Sequence, residues 1–415
     1  MNRADAVVVG AGPGGSAAAA RLAGAGYDVV LVDKACFPRD KVCGDGLTPG
    51  AVAALARLGL TDEAEGNLPG WHRQQGLRIR TASRVLDLPW PERDGWPAHS
   101  LTASRSLLDH TLVRHAVRAG ARLWTQTRVT GPVFLTSSRR RVAGVSYRRA
   151  DGAEGVLRAP VVLAADGAGS GLATGLGLPR LANRPLGVAI RAYYRSPQAA
   201  TPMLEVFLGM GGDGSLLPAY GWLFPLDGGL VNVGWILLDT TGRARAVDYR
   251  AVLQRWVASL PSHWGLGPAT MVGTPRSAPL PMGFNRKPAV HKGVLLVGDA
   301  GGMANPFSGE GIRYALEAGA FAAEAADSAL RARSATPLES YASTVARRWG
   351  GFYTAGRAFQ QLASRPAAAE ATVDAVLAHP RAMGLLCRLM VHADHGAGDP
   401  SDRLLYRLSR VLPAS

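Results

Sequence analysis

Three glycines and an acid are the first residues in this chain whose types and spacing suit chemistry. Gly10, Gly12 and Gly15 stand in G-x-G-x-x-G register within Gly10-Ala-Gly12-Pro13-Gly14-Gly15, and Asp33 follows about 23 residues after Gly10. That pattern suits the pyrophosphate of a dinucleotide. Gly10 permits a tight turn, Gly12 lets backbone approach the phosphates, and Gly15 lets the next helix sit close on its strand. The helix start then offers unpaired N–H groups and a positive dipole end. Asp33 is placed to accept from a ribose hydroxyl. Two more clusters join these. Arg105 and Asp109 lie one helical turn apart and so share a face. Gly298-Asp299 precedes Pro306, Gly309-x-Gly311 and Ile312 at the start of a helix, and Asp166-Gly167 closes another apolar run.

The elements that must position these residues can be read in order. Asp5 to Gly10 is a short β-branched run, a buried parallel strand, and Asp28 to Asp33 is a second one ending in an acid. The Ala-rich stretch from Ser16 to Ala23 between them has good helix propensity. Residues Lys34 to Pro49 form a loop with three cations, Lys34, Arg39 and Lys41, and long loops in compact domains are often functional. Leu77–Arg80 and Val85–Leu88 read as paired strands. A helix starts at Arg105, a strand at Ala121, and Asp151-Gly152 marks a hairpin between Arg141–Arg149 and Val156–Arg158. Gly187–Tyr194, Leu204–Gly209, Tyr220–Pro225 and Leu230–Leu238 are all strand, an antiparallel sheet inserted in the nucleotide domain. Gly293 to Asp299 is a last buried strand, Arg313 to Leu330 a helix, and the chain after Leu338 is helical with breaks at Pro366, Pro380 and Pro400.

The fold class is therefore an α/β composite. Residues 1–70, 100–180 and 276–340 would bind the nucleotide. Residues 71–99 and 181–275 would build the substrate sheet, and 341–415 a helical region.

Composition narrows the class. The chain has 415 residues, nearly half apolar, and a net charge of +15 carried almost wholly by arginine. No unbroken apolar run is long enough for a transmembrane helix, and an early Asp and a glycine turn speak against a signal peptide. Cys36, Cys43 and Cys387 are too few for a disulfide framework, and neither they nor His110 and His115 show metal-ligand spacing. A cytoplasmic location fits, with peripheral contact at the inner face of the membrane. The basic residues suit anionic lipid or a diphosphate. They are scattered and carry no nucleic-acid module, so nucleic acid is not an expected partner.

Four stretches carry a resemblance. Lys41-Val-Cys43-Gly44-Asp45-Gly46, Tyr220-Gly-Trp222-Leu-Phe224-Pro225, Asn232-Val-Gly234 and the run from Gly298 to Gly311 together resemble the geranylgeranyl reductase family. Those flavoproteins have the p-hydroxybenzoate hydroxylase-like FAD fold and saturate isolated double bonds of prenyl chains. Phe37 to Pro49 is especially similar to the actinobacterial menaquinone reductases, which saturate the β-isoprene unit of the quinone tail.

The resemblance implies FAD, held by Gly10, Gly12, Pro13, Gly14, Gly15, Asp33, Lys34, Lys41, Arg105, Asp166, Gly167, Gly298, Asp299, Pro306, Gly309, Gly311 and Ile312. Asp299 would meet the ribityl chain, and the helix starting near Gly311 the isoalloxazine. It puts Cys43, Gly44 and Asp45 at the reacting centre, with Cys36 and Cys387 left to packing. Tyr220, Trp222, Phe224, Pro225 and Trp235 would floor an apolar channel, or belong to an ordinary sheet core. Glu310 would orient the flavin loop or serve as an acid.

Saturating an isolated alkene needs a hydride, a proton and a dry cavity. The same fold serves flavin monooxygenases of aromatic or polyketide substrates, which form the second reading. A non-catalytic prenyl carrier is the third, and Arg105, Asp299 and Gly309-x-Gly311 argue against it. The electron donor is left open among NAD(P)H, a ferredoxin and other redox partners, since Gly209 to Gly214 lies between strands. The carboxy-terminal helices, with Arg347, Arg348 and Arg357 beside Phe352, Tyr353 and Phe359, read as a cap over the substrate sheet or as a membrane-surface contact.

Overall fold

The strand Ala6–Val9 is wholly buried on both faces, which is why it contains only apolar residues. Ala6 and Val8 enter a core shared with helices on one side, while Val7 and Val9 enter a second core on the other. The computed structural model describes residues 2–81, 84–135, 138–208, 219–239, 247–363 and 380–391. The loop Gly209 to Gly214 and the breaks at Pro366 and Pro400 lie outside the described residues.

Six strands form the nucleotide sheet, in the order Val290–His291, Val294–Leu296, Val161–Ala164, Ala6–Val9, Val29–Val32 and Arg122–Trp124. Ala6 pairs in parallel with Val161 and with Val29. Pro13–Gly24, Arg105–Arg118 and Ile312–Arg331 are helices that cover one face of this sheet, and a four-stranded sheet that includes the expected hairpin covers the other. Two of the helices nearly touch. A Cβ on Gly14 would lie 2.8 Å from the Ala315 carbonyl oxygen, and one on Gly319 would lie 2.2 Å from the Gly14 carbonyl oxygen.

Seven strands form the sheet that the sequence marks for substrate, in the order Met271–Pro281, Leu186–Arg195, Leu230–Asp239, Ala219–Leu226, Met203–Leu208, Gly76–Arg80 and Val85–Pro89. One pair departs from the expected antiparallel pattern, since Met203–Leu208 runs parallel to Gly76–Arg80. Alternation gives this sheet two apolar faces. On the far face, Val231, Val233, Trp235 and Leu237 pack with Leu253, Trp256 and Val257 of the helix Tyr249–Ser259. The near face looks toward the nucleotide sheet.

The carboxy-terminal helices divide between two layers. Glu339–Ala363 packs on the nucleotide core, where Tyr353 is fully buried against Phe284 and Tyr314. The cap over the substrate sheet is instead Pro380–Val391, whose Met383, Cys387 and Val391 meet Leu77, Ile79, Trp90, Leu204 and Val206. The expectation that the helix carrying Phe352 and Phe359 covers the substrate sheet is thus corrected, because both rings pack at a tilt against Phe307, with centroids 4.9 and 5.4 Å away. Cys387 is buried as a packing residue, whereas Cys36 is exposed and does not pack.

Candidate active site

The phosphate end of the site is shaped by what glycine lacks. Gly10 has φ +98°, and a Cβ there would fall 2.3 Å from the Ala165 carbonyl oxygen. At Gly15 a Cβ would lie 1.9 Å from the Gly10 carbonyl, so helix and strand meet with no room between them. Gly12 is different, since the first atom a Cβ would meet is Arg39 Nη2 at 3.9 Å. Space therefore stands open over its backbone, at the start of the helix Pro13–Gly24. Asp33 accepts from the Ala11 and Ala35 amides at 2.8 and 2.9 Å, which fixes the glycine turn.

A buried ionic chain continues inward. Arg39 Nη1 lies 2.9 Å from Asp109, and Arg105 grips Asp109 with two bonds of 2.9 and 2.8 Å. Burial opposes the Arg105 charge, but Asp109 more than offsets it and keeps the guanidinium pKa raised. On the opposite side Lys41 Nζ donates to Asp299 at 3.2 Å. Gly12, Pro13, Gly14, Lys41, Arg105, Gly167, Gly298, Asp299, Gly309, Gly311 and Ile312 all line one cavity with Cys43 and Gly44.

Several expected contacts fall elsewhere. Lys34 is exposed and outside the cavity. Pro306 packs under Gly356, where its ring fills the space of a missing side chain. Asp166 stands behind Gly167, accepts from the Leu172 amide at 3.2 Å and leaves Oδ1 without a partner among the described residues. Trp235 faces the helix Tyr249–Ser259, with the Tyr249 ring 5.6 Å away, and so belongs to the far-face core rather than the channel. Pro225 is buried but does not line the cavity.

Further along the cavity, the Cys43–Asp45 loop is pinned to the seven-stranded sheet. Asp45 adopts φ +63° and is fully buried. Its carboxylate accepts from Tyr193 at 2.7 Å, Asn232 at 2.8 Å and the Arg105 amide at 3.2 Å. Asn232 also donates to the Cys43 carbonyl and accepts from Trp222 Nε1 at 2.9 Å. Burial pushes the Asp45 pKa up to about 6, against the Tyr193 and Asn232 bonds that lower it. Asp45 therefore positions the loop and does not line the cavity. Cys43 does line it. Burial raises the thiol pKa, and nearby Arg105 pulls it down.

Tyr193 is not singled out in the sequence, and Asn232 enters there only for the resemblance, with no role assigned to it. The signal for Asn232 was present, since it is a lone amide within the apolar strand Leu-Val-Asn-Val-Gly-Trp.

The cavity is open at its mouth, and the space within it that a water-sized body can occupy is about 230 Å³. Tyr220, Trp222 and Phe224 share its wall, as alternation required, with neighbouring ring centroids 6.3 and 6.4 Å apart. Trp222 lies over Gly234, where a Cβ would come within 2.0 Å of the ring. Leu77, Trp90, Leu204, Val206 and Ile236 extend the apolar wall, and Met390 and Val391 close it. Glu310 lines the opposite side, bonded through Oε1 to Thr48, while Oε2 has no partner among the described residues. Burial raises its pKa to about 7, although Arg313 and Thr48 lower it.

Open backbone over Gly12, an acid at the end of the second strand, and Asp299 before a helix start fit the phosphates, ribose and ribityl chain of FAD. Together with the sheet facing them they define an FAD-binding flavoprotein.

The FAD binding domain family matches residues 3–349. The chain is 41% identical over 326 residues to a menaquinone reductase of Mycolicibacterium smegmatis, covering 78% of this chain and 76% of that one. It is 37% identical over 391 residues to a menaquinone reductase of Mycobacterium tuberculosis, covering 93% and 90%. A solved geranylgeranyl bacteriochlorophyll reductase-like protein of Thermoplasma acidophilum shares the fold, with TM-score 0.77 at 20% identity over 98% of this chain and 100% of that one. The chain belongs to the geranylgeranyl reductase family of FAD-dependent oxidoreductases.

Proposed function

We propose that this protein saturates a double bond in the prenyl tail of a menaquinone-type quinone. One observation carries the reading. A continuous apolar wall from Tyr220, Trp222 and Phe224 to Leu204, Val206 and Trp90 faces the cofactor cradle across a single cavity. A flexible isoprenoid gains roughly 25 cal/mol per Å² of apolar surface that such a wall removes from water. The 41% identity to a menaquinone reductase supports the quinone as its carrier.

Each part of the cradle has a task. The amides around Gly12 and Gly14 would hold the pyrophosphate, Asp33 the ribose and Asp299 the ribityl chain. The helix beginning at Ile312 would turn its positive end toward negative charge. FAD, when bound and reduced, supplies the hydride. The chain must exclude water, orient the alkene and deliver a proton. The aromatic wall does the first two, with the Asn232 bridge fixing Trp222 against the Cys43 loop.

Peripheral contact with an anionic bilayer belongs to the same proposal. A lipid-borne substrate and a net charge of +15 support it. No helix among the described residues is long and apolar enough to cross a membrane.

The test is anaerobic. Holoenzyme reduced chemically without oxygen, given a prenylated menaquinone, is expected to yield a product heavier by two hydrogens, read by mass spectrometry. A product that forms only with oxygen and gains an oxygen atom sinks the reading in favour of a monooxygenase.

A further inference from the structure

We propose that Glu310 is the catalytic acid of this site, giving its carboxyl proton to the alkene carbon next to the one that receives the hydride. The inference rests on the prenyl-reduction reading. It starts from the polar groups that line the cavity. Arg105 is clamped by Asp109, and a guanidinium does not release its proton. Lys41 is held by Asp299. Tyr220 spends its hydroxyl proton on the Ser308 carbonyl at 2.5 Å. The Cys43 thiol is a weak acid that burial makes weaker. Glu310 alone among these joins an uncommitted atom to an acidity matched to neutral pH, which is where a general acid works best.

The geometry also places the proton. Thr48 Oγ1 already accepts from the Ala51 amide at 3.4 Å, and it donates its own hydrogen to Glu310 Oε1. With Oε1 accepting from Thr48, the proposal places the carboxyl proton on Oε2, which has no partner among the described residues. In the transfer the Oε2–H bond breaks and a C–H bond forms, while the electron pair arrives with the hydride. The carboxylate left behind faces Arg313, three residues on, and the start of the helix Ile312–Arg331. Glu317 on that helix, Tyr220 on the sheet and Tyr353 on the helix Glu339–Ala363 are the other titratable groups that feel its charge. Thr48 and Arg313 thus stabilise the charged form, and burial stabilises the neutral one.

Two measurements on full-length protein test this. First, infrared titration of the cofactor-free protein is expected to show a protonated carboxyl band that is lost as pH rises through about 7 and is absent in Glu310→Gln. Second, Glu310→Gln holoenzyme with unchanged flavin absorbance is expected to lose roughly 10²- to 10⁴-fold in kcat with little change in KM. Its kcat profile is also expected to lose the alkaline fall seen in wild type. Thr48→Val, which keeps the acid but frees Oε1, is expected to keep that fall at a shifted pH. The proposal is overturned if Glu310→Gln turns over within about threefold of wild type, keeps the alkaline fall, or fails to retain FAD, which would mark a structural role. Wild-type holoenzyme that leaves the prenyl quinone untouched overturns the function reading as well, and its intact infrared band tells the two failures apart.

Discussion

Asp45 holds the Cys43 loop at φ +63°, a conformation that Asp and Asn tolerate better than most residues. Its position 187 residues from Asn232 in sequence makes it a tie between layers. The tie has a consequence for stability. The folded carboxyl keeps its proton up to about pH 6, whereas the unfolded one releases it near 3.8. Between those values the folded state binds more protons, so this group lowers stability as pH rises through the window and has no further effect above it. Asp45→Asn is expected to flatten that part of the curve, by up to about 3 kcal/mol for a shift of this size. Denaturant unfolding of wild type and variant at several pH values checks it, and the difference between them removes the similar slope from Glu310. Parallel curves would show that Asp45 is ionised throughout. Much of this was legible early, since the Cys43-Gly44-Asp45 run stood out in a Gly- and Pro-punctuated loop. Its role as an anchor was not, because Tyr193 and Asn232 reach it only after folding.

The crossing of the helices Pro13–Gly24 and Ile312–Arg331 sets the width of the cofactor cradle. Both backbones come within contact because Gly14 and Gly319 face each other. A methyl at 319 has backbone on its far side, so neither helix can yield by rotating a side chain. Gly319→Ala is expected to destabilise by roughly 1–3 kcal/mol and to weaken FAD retention, since Pro13 and Gly14 line the cavity. A Cβ added at Gly24, which ends the first of these helices, would meet nothing within 4 Å among the described residues, and Gly24→Ala is expected to stabilise by up to about 1 kcal/mol. Thermal unfolding and flavin absorbance of the two variants read the contrast. Equal effects would mean that a methyl fits between the two helices. The glycine motif showed the first helix and its turn, because those needs are local. Nothing local marked Gly319 as the partner.

Across the whole molecule, one loop stitches nucleotide layer to substrate layer. Arg39 reaches Asp109, Asp40 reaches the buried Arg191, Lys41 reaches Asp299 and Asp45 reaches Asn232. Successive residues thus bind alternate layers, and the cavity is the space they enclose. Its lid is the helix Pro380–Val391, whose last carbonyls accept from Asn305, Ser308 and Arg313. Cys387 sits in the lid's apolar contact, only 3% exposed. Cys387→Asp places a charge there that has no partner, and the lid is expected to detach. Prenyl reduction should then fall at least tenfold and binding of an apolar dye should rise, with flavin absorbance unchanged. Retained turnover at wild-type rate would separate the lid from substrate binding.

By itself the sequence determined the features that short-range sterics control. These are the glycine turn, the parallel strands, the Arg105–Asp109 pair on one helical face, and the shared face of Tyr220, Trp222 and Phe224. Only the tertiary structure decided which face of a sheet meets what. Trp222 and Trp235 stand on adjacent strands with the same apolar patterning, yet one meets the cavity and the other the helix Tyr249–Ser259. Period two states that two faces exist and not which segment covers each. The covering segments come from far along the chain, and their docking depends on the summed burial of the whole layer. The same reason put Pro306 under Gly356 and made Pro380–Val391 the lid.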